Sequence, residues 1–232
     1  MYQKGINFLK IVYWRSRSIL LKLLFVTRSN GVYIGKNLQI IGLNNIEIGK
    51  GSTLGDYLWI NVNNRDNKKS VHIGEYSNIG RNNFITVGDE LTIGDFFFSS
   101  CYCSIIGAHH QYTDPFIPYI VAKIALGSGI HIGSNVFMGA HSMVVGNVNI
   151  GFGSIIGAGS LINKDVPPLS LVVGNPARVI RRYSLAHKKW VSADELNEAD
   201  IICEDEYLNM IKRKHPTIGF PYHAATERMG WL

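Results

Sequence analysis

The sequence predicts an all-β core, a parallel β-helix of six-residue repeats, with an N-terminal helix and a C-terminal helical extension. Two observations carry this. Aliphatic residues recur every six positions over most of the chain, often with a glycine directly after them. The places where that frame breaks are polar and rich in turn formers. The division that follows is 1–30 for the N-terminal helix, 31–182 for the β-helix with a loop at 108–123, and 183–232 for the extension.

The period is plainest in the second half, at Ile132, Met138, Val144, Ile150, Ile156 and Ile162. It appears earlier at Ile73, Ile79, Ile85 and Leu91. A third stretch carries Ile34, Ile40 and Ile46, then slips by two to Ile48, Leu54 and Ile60. Six suits neither an amphipathic helix nor a simple alternating strand. It suits a short strand plus a turn, with one aliphatic side chain per repeat pointing inward. Three such strands close a triangular coil, and stacked coils share one continuous core. The glycines after the inward residues, such as Gly74, Gly139 and Gly157, are expected to let the chain bend at the corners.

Two frame breaks are expected as loops. Residues 63–70 (NNRDNKKS) are polar and charged, and residues 108–123 carry Asp114-Pro115 and Ile117-Pro118 as turn signals. Loops on a rigid scaffold are where function concentrates.

Residues 6–26 mix apolar side chains with Lys10, Arg15, Arg17 and Lys22 and contain neither Gly nor Pro, so they read as a helix. Two roles stay open: a cap on the end of the β-helix, or a basic amphipathic helix making peripheral contact with an anionic membrane. The charges break every apolar run short of the ~20 residues needed to span a bilayer. In the tail, Ser192-x-x-Glu195 is a candidate capping box. Residues 204–214 run from acidic to basic, as a helix macrodipole favours, and Pro216 ends them.

The 23 basic against 17 acidic residues leave a net charge of +6, which favours an anionic partner. Nucleic acid is not expected, because the small basic cluster Arg65, Lys68, Lys69 has no interleaved aromatics. The Gly-x-Gly pairs at 49–51, 127–129 and 151–153 fall inside the repeat frame, so they are coil corners and not dinucleotide loops. No metal-ligand cluster stands out. Cys101, Cys103 and Cys203 are odd in number, and the first two, placed on one face of a strand, are expected as free lining thiols in a reducing cytoplasm.

The segment 132–182 resembles the hexapeptide-repeat acyltransferases, especially those that acetylate sugars and polysaccharides. The resemblance rests on Gly157-Ala158-Gly159-Ser160, Lys164-Asp165-Val166-Pro167 and Gly174-Asn175-Pro176-Ala177-Arg178. It implies a left-handed β-helix, a homotrimer with active sites in clefts between neighbouring copies, and acetyl-CoA as co-substrate. It implies a catalytic histidine at the start of the interrupting loop, which maps to His110 with His109 as runner-up. It also implies the Ala140 amide as the oxyanion donor, Gly139, Ala140 and Ala158 along the pantetheine arm, and Lys164 and Arg178 at the phosphates, with Arg181 as a weaker third. Phe137 stands where many relatives carry tryptophan. His141 is a further candidate lining residue. His72 and His131 are expected outward on the coils, and His187, His215 and His223 are expected to be structural.

The chemistry requires such residues. A sugar hydroxyl is a poor nucleophile at neutral pH, and a neutral imidazole, with an ordinary pKa near 6.5, can take its proton during attack. The oxyanion then needs a donor aimed at it. The reading that follows is a histidine-assisted O-acetyltransferase with a small-molecule or glycan acceptor, serving bacterial surface polysaccharide synthesis in the cytoplasm or at the inner face of the membrane. The alternatives are N-acetylation of a nucleotide-linked amino sugar, or a β-helix scaffold without catalysis.

Overall fold

The computed structural model describes residues 31–66, 69–125, 127, 129–195 and 202–216. The expected N-terminal helix and His223 lie outside the described residues. The core is a left-handed β-helix of stacked triangular coils. Face A stacks short parallel strands from Tyr33–Ile34 to Ser170–Gly174. Face B runs from Gln39–Ile41 to Leu161–Ile162 and face C from Ile46–Ile48 to Val148–Ile150. The inward aliphatics form the interior: Leu54, Ile60, Met138, Val144 and Ile156 have no solvent exposure at all. Burying each such side chain is worth about 1.5–3 kcal/mol, which is why a thin prism of this shape holds together.

Backbone groups are satisfied between coils, not within them. Gly49 N–H donates to Ile73 O at 2.7 Å, Gly74 to Ile93 O at 2.8 Å and Gly94 to Ile132 O at 2.8 Å. That spacing gives the frame glycines their role, which differs from the one expected. Gly74 and Gly139 do not bend the chain. A Cβ on Gly74 would lie 2.5 Å from Asp95 N, and one on Gly139 would lie 2.6 Å from Ala158 N. The glycines permit backbone to approach backbone from coil to coil.

The bends come from other residues. Between faces A and B, Asn37, Tyr57, Asn82, Tyr102, His141 and Gly159 all have positive φ and stand one above another. Between faces C and A, Gly31, Gly51, Tyr76, Phe96, Asn135, Gly153 and Leu169 do the same. Left-handed backbone at Tyr, Phe and Leu is uncommon, and here the bonds from coil to coil hold it: Tyr76 N–H donates to Lys50 O at 2.9 Å and Phe96 N–H to Glu75 O at 2.9 Å. The corner between faces B and C has positive φ only at Gly42, Gly127 and Gly146 among the described residues, and both long loops leave there.

The interior carries a short polar ladder. Asn83 Nδ2 donates to Ser99 Oγ (2.6 Å) and its Oδ1 accepts from Cys103 N (2.8 Å). Cys103 is buried with its sulfur 3.2 Å from Gly139 O, and burial pushes its thiol pKa up. Cys101 and Cys103 do not share a strand: they flank the left-handed corner residue Tyr102, which turns only Cys103 inward. All three cysteines are free.

The C-terminal part departs from the helical expectation. Gly174–Ala177 turns the chain, and Ala177–Ser184 and Lys189–Ser192 extend face A as antiparallel strands. Ser192 ends a strand pairing with Arg181 and is followed by a 3-10 turn, Ala193–Glu195, so it opens no α-helix at Ala193. Ala177–Ser184 shows no clean apolar alternation, because Arg178, Ile180 and Arg181 are its exposed residues while Arg182 is half-buried. The helix Glu204–Lys214 is present, with Glu204, Asp205 and Glu206 in its first turn and Lys212, Arg213 and Lys214 in its last. It lies against the C–A corner: Glu204 accepts from Ser134 N, Asn135 Nδ2 donates to Tyr207 OH, and the Tyr207 ring packs on Phe152 at 4.9 Å.

Gly74→Ala is expected to lower stability by about 1–3 kcal/mol, as an overpacked interior does, whereas Asn82→Gly, at a left-handed corner, should change it by less than ~1 kcal/mol. Urea unfolding midpoints check both. In a thiol titration of the native protein, Cys203 should react at once, while Cys103 should react only on unfolding, because its thiol is buried and held protonated.

Candidate active site

The larger loop leaves face B after Ser104–Ile106. Its base is an antiparallel ribbon in which His109–His110 pairs with Ile124–Ala125, and Gln111 N–H donates to Lys123 O at 2.8 Å. Both histidines are exposed, and so is the apolar loop tip, with Phe116 at 92% and Ile120 at 89%. His110 Nδ1 lies 2.9 Å from Ala122 O. A carbonyl can only accept, so this contact puts the hydrogen on Nδ1 and leaves a lone pair on Nε2. His109 has a different environment, its ring tilted against Tyr112 at 5.5 Å.

The glycine-alanine pair sits elsewhere. Gly139 is buried and Ala140 half-buried at the A–B corner, next to His141, whose ring stacks on Tyr102 (5.1 Å, 3°). Phe137, just before them, stacks on Phe98 at 5.5 Å. Among the described residues the Ala140 amide donates to no oxygen, and the same holds for Ala158 one coil further on. These amides are therefore available as donors. Lys164 and Arg178 come together around one recess of about 260 Å³, lined also by Asp165 and Ala177. Asp165 is engaged by Asn149, through its N–H (2.8 Å) and its Nδ2 (3.2 Å). Among the described residues neither cation forms an ion pair with a carboxylate, and Arg178 Nη1 donates to the Ala177 carbonyl at 2.9 Å. Arg181 belongs to the antiparallel end strand, paired with Leu171 and Ser192, and does not line that recess.

One chain does not bring all these residues into a single pocket. Ser104–Ile106 and Met143–Val145 are neighbouring parallel strands with Ser104 opposite Met143. Ala140 precedes the start of one strand, and His109–His110 follows the end of the other. At a rise of ~3.3 Å per residue the two sites lie on the order of 15 Å apart, at opposite edges of face B. The motif spacing alone did not reveal this separation. Sequence reasoning also missed the outward pair Trp59 and Phe84 on face B, whose rings stack at 4.5 Å and 3°. The signal was present as aromatic residues just before the frame positions Ile60 and Ile85.

Of the remaining described histidines, His215 is exposed at the end of the Glu204–Lys214 helix. His72 and His131 face outward on face C, with His131 Nδ1 2.7 Å from Thr92 Oγ1, and His187 Nδ1 is 3.0 Å from Ser184 Oγ. Among the described residues no three His, Cys, Asp or Glu side chains gather as a metal site. No helix among them is long and apolar enough to cross a membrane.

No family model matches the sequence. A Staphylococcus aureus (strain COL) protein named as an acetyltransferase is 58% identical over 53 residues, 23% of this chain. The chain spans only 27% of that relative's length. The galactoside O-acetyltransferase of Escherichia coli (strain K12) is 32% identical over 162 residues, covering 65% of this chain and 73% of that protein. Among solved structures, AntD, an N-acyltransferase from Bacillus cereus in complex with dTDP-4-amino-4,6-dideoxyglucose and coenzyme A, superposes with a TM-score of 0.56. It is 26% identical, over 72% of this chain and 88% of that one.

Proposed function

The chain belongs to the hexapeptide-repeat acetyltransferases, and on that premise we propose that it transfers an acyl group from coenzyme A to a sugar. The observation that carries the reading is the His110 imidazole, tethered at Nδ1 by the Ala122 carbonyl with Nε2 left to accept a proton. In the proposed reaction His110 Nε2 takes the acceptor's proton as the acceptor attacks the thioester carbonyl. The Ala140 amide donates to the oxyanion. Collapse of the intermediate expels the thiolate of coenzyme A, and His110 returns the proton to it. Gly139, Ala140 and Ala158 would line the pantetheine arm, and the paired cations Lys164 and Arg178 would hold the phosphates.

For the acceptor, the order of the two sequence readings is reversed. An amino group on a nucleotide-linked sugar has the better support, from the likeness to AntD over most of both chains. It also fits an exposed histidine with a single tether, because an amine needs less help from a base than a hydroxyl. The hydroxyl reading keeps its support from the 32% identity to a galactoside O-acetyltransferase. Thiol release from acetyl-CoA, measured with amino and hydroxyl sugars side by side, tests both. The expected outcome is turnover with the amino sugar, lowered ~10²- to 10⁴-fold by His110→Ala and much less by His109→Ala. No thiol release with any sugar would sink the enzyme reading.

The separation of His110 from Ala140 supports a site shared between copies, in a trimer. Ala158→Trp would block the pantetheine arm from an exposed position while leaving His110 intact. Mixing inactive His110→Ala and Ala158→Trp proteins through unfolding and refolding should therefore restore about a quarter of wild-type activity, the fraction of interfaces with both halves intact. Activity that stays at the level of the separate variants would place the whole site in one chain.

A further inference from the structure

The order of the coils leaves one stretch of face B without a role. The donor-binding candidates occupy the later coils, Ala140, Ala158, Lys164 and Arg178, and the histidine loop leaves the coil before them. The coils on the other side of that loop carry Trp59 and Phe84. These are outward neighbours on face B, in register with Ser104, from whose strand the loop departs. Phe84 is 40% exposed. Trp59 covers one face of its ring, and the rung on the other side holds only the small Ser104 before Met143. Two rungs at ~4.8 Å each leave a slot of about 10 Å between Phe84 and Met143, room for one ring stacked on Phe84.

The column beside this slot is polar. Asn61 and Thr86 stand opposite each other, two residues along from Trp59 and Phe84. Thr86 Oγ1 is shielded from solvent and has no hydrogen-bond partner. At the edge, Arg65 is held over the strand end by Val62 O (2.8 Å to Nε) and by Asn61 Oδ1 (3.5 Å to Nη2). Among the described residues no carboxylate pairs with it, so its charge is available to an anion. An exposed aromatic face and an available guanidinium beside the histidine loop have complementary chemistry in one class of ligand.

We propose that Phe84, backed by Trp59, and Arg65 form the acceptor platform, binding a diphosphate-linked sugar with the sugar ring on Phe84 and the diphosphate at Arg65. The proposal rests on the acyl-transfer reading above. A nucleotide and a polyprenyl carrier present the same diphosphate, so the test uses both. The intact protein is titrated in a calorimeter with dTDP-4-amino-4,6-dideoxyglucose, with undecaprenyl-diphosphate N-acetylglucosamine in detergent, and separately with acetyl-CoA. Binding is read without turnover, which separates failure of the platform from failure of the catalytic reading.

The wild type should bind one of the two sugars, and which one identifies the carrier. Phe84→Ala should weaken that binding about 3- to 10-fold, the usual worth of one aromatic contact, and Phe84→Tyr should restore it. Arg65→Ala should weaken it about 10-fold or more, while acetyl-CoA binding stays within about twofold for every variant. Binding of neither sugar by the wild type would overturn the proposal. So would unchanged sugar binding in Phe84→Ala and Arg65→Ala. A parallel loss of sugar binding, acetyl-CoA binding and native oligomeric size in Phe84→Ala would assign the ring to subunit contact instead, and would overturn it too.

Discussion

Everything in this molecule follows from backbone stacked on backbone at one strand spacing. Each coil hydrogen-bonds to the next, as Gly74 N–H does to Ile93 O, so successive coils cannot shift apart to admit a side chain at the crossing points. That forces glycine at positions such as 74 and 139, where a Cβ would run into the next backbone. It turns one or two aliphatics per strand into a narrow prism, as Ile60 and Val62 or Leu91 and Ile93 show. It also forces left-handed residues at two of the three corners, including tyrosines and phenylalanines that would avoid that conformation elsewhere. At the B–C corner left-handed backbone is confined, among the described residues, to Gly42, Gly127 and Gly146, and both loops leave the scaffold there. The histidine loop sits at that corner, between Ser104–Ile106 and Gly129–Ile132.

The same constraint explains what could be read from the chain. An inward aliphatic at every sixth place is a direct imprint of three strands per turn, and frame positions such as Ile73, Ile79 and Ile85 lie buried. The helix Glu204–Lys214 was legible because its charges follow its dipole. The corner columns were not legible: Tyr57, Tyr102 and His141 give no local signal for positive φ, since the bonds to the coils above and below impose it. The end strands from Ala177 to Ser192 escaped for a related reason. Their partner, Ser170–Gly174, is the last parallel strand of face A, and pairing with it rescues a segment whose arginines do not look like strand.

For the site, the broken frame located the loop, and the family ending located Lys164 and Arg178, which the fold brings to one recess. What no linear motif contained was direction. Ser104–Ile106 and Met143–Val145 run parallel, so a residue before one strand and a residue after the other are carried to opposite edges of the face. Adjacent motifs thus describe two half-sites. What separates His109 from His110 is likewise a tertiary contact, the Ala122 carbonyl twelve residues from His110.

That division bears on why such a scaffold would catalyse between copies. An imidazole as exposed as that of His110 competes with water for every proton it handles, and an oxyanion at a bare corner amide gains little against a solvent of high dielectric. Rigid coils cannot close over a substrate as a hinged enzyme does, because each strand is fixed by its neighbours. The remaining way to exclude water is to place a second rigid surface opposite the first. The loop tip, with Phe116 and Ile120 almost fully exposed, has the composition of a surface that is covered in use. On the shared-site reading proposed above, the open site of the single chain would be one wall of a dry cleft, and the stiffness that prevents it from closing alone would let two such walls meet in a fixed register.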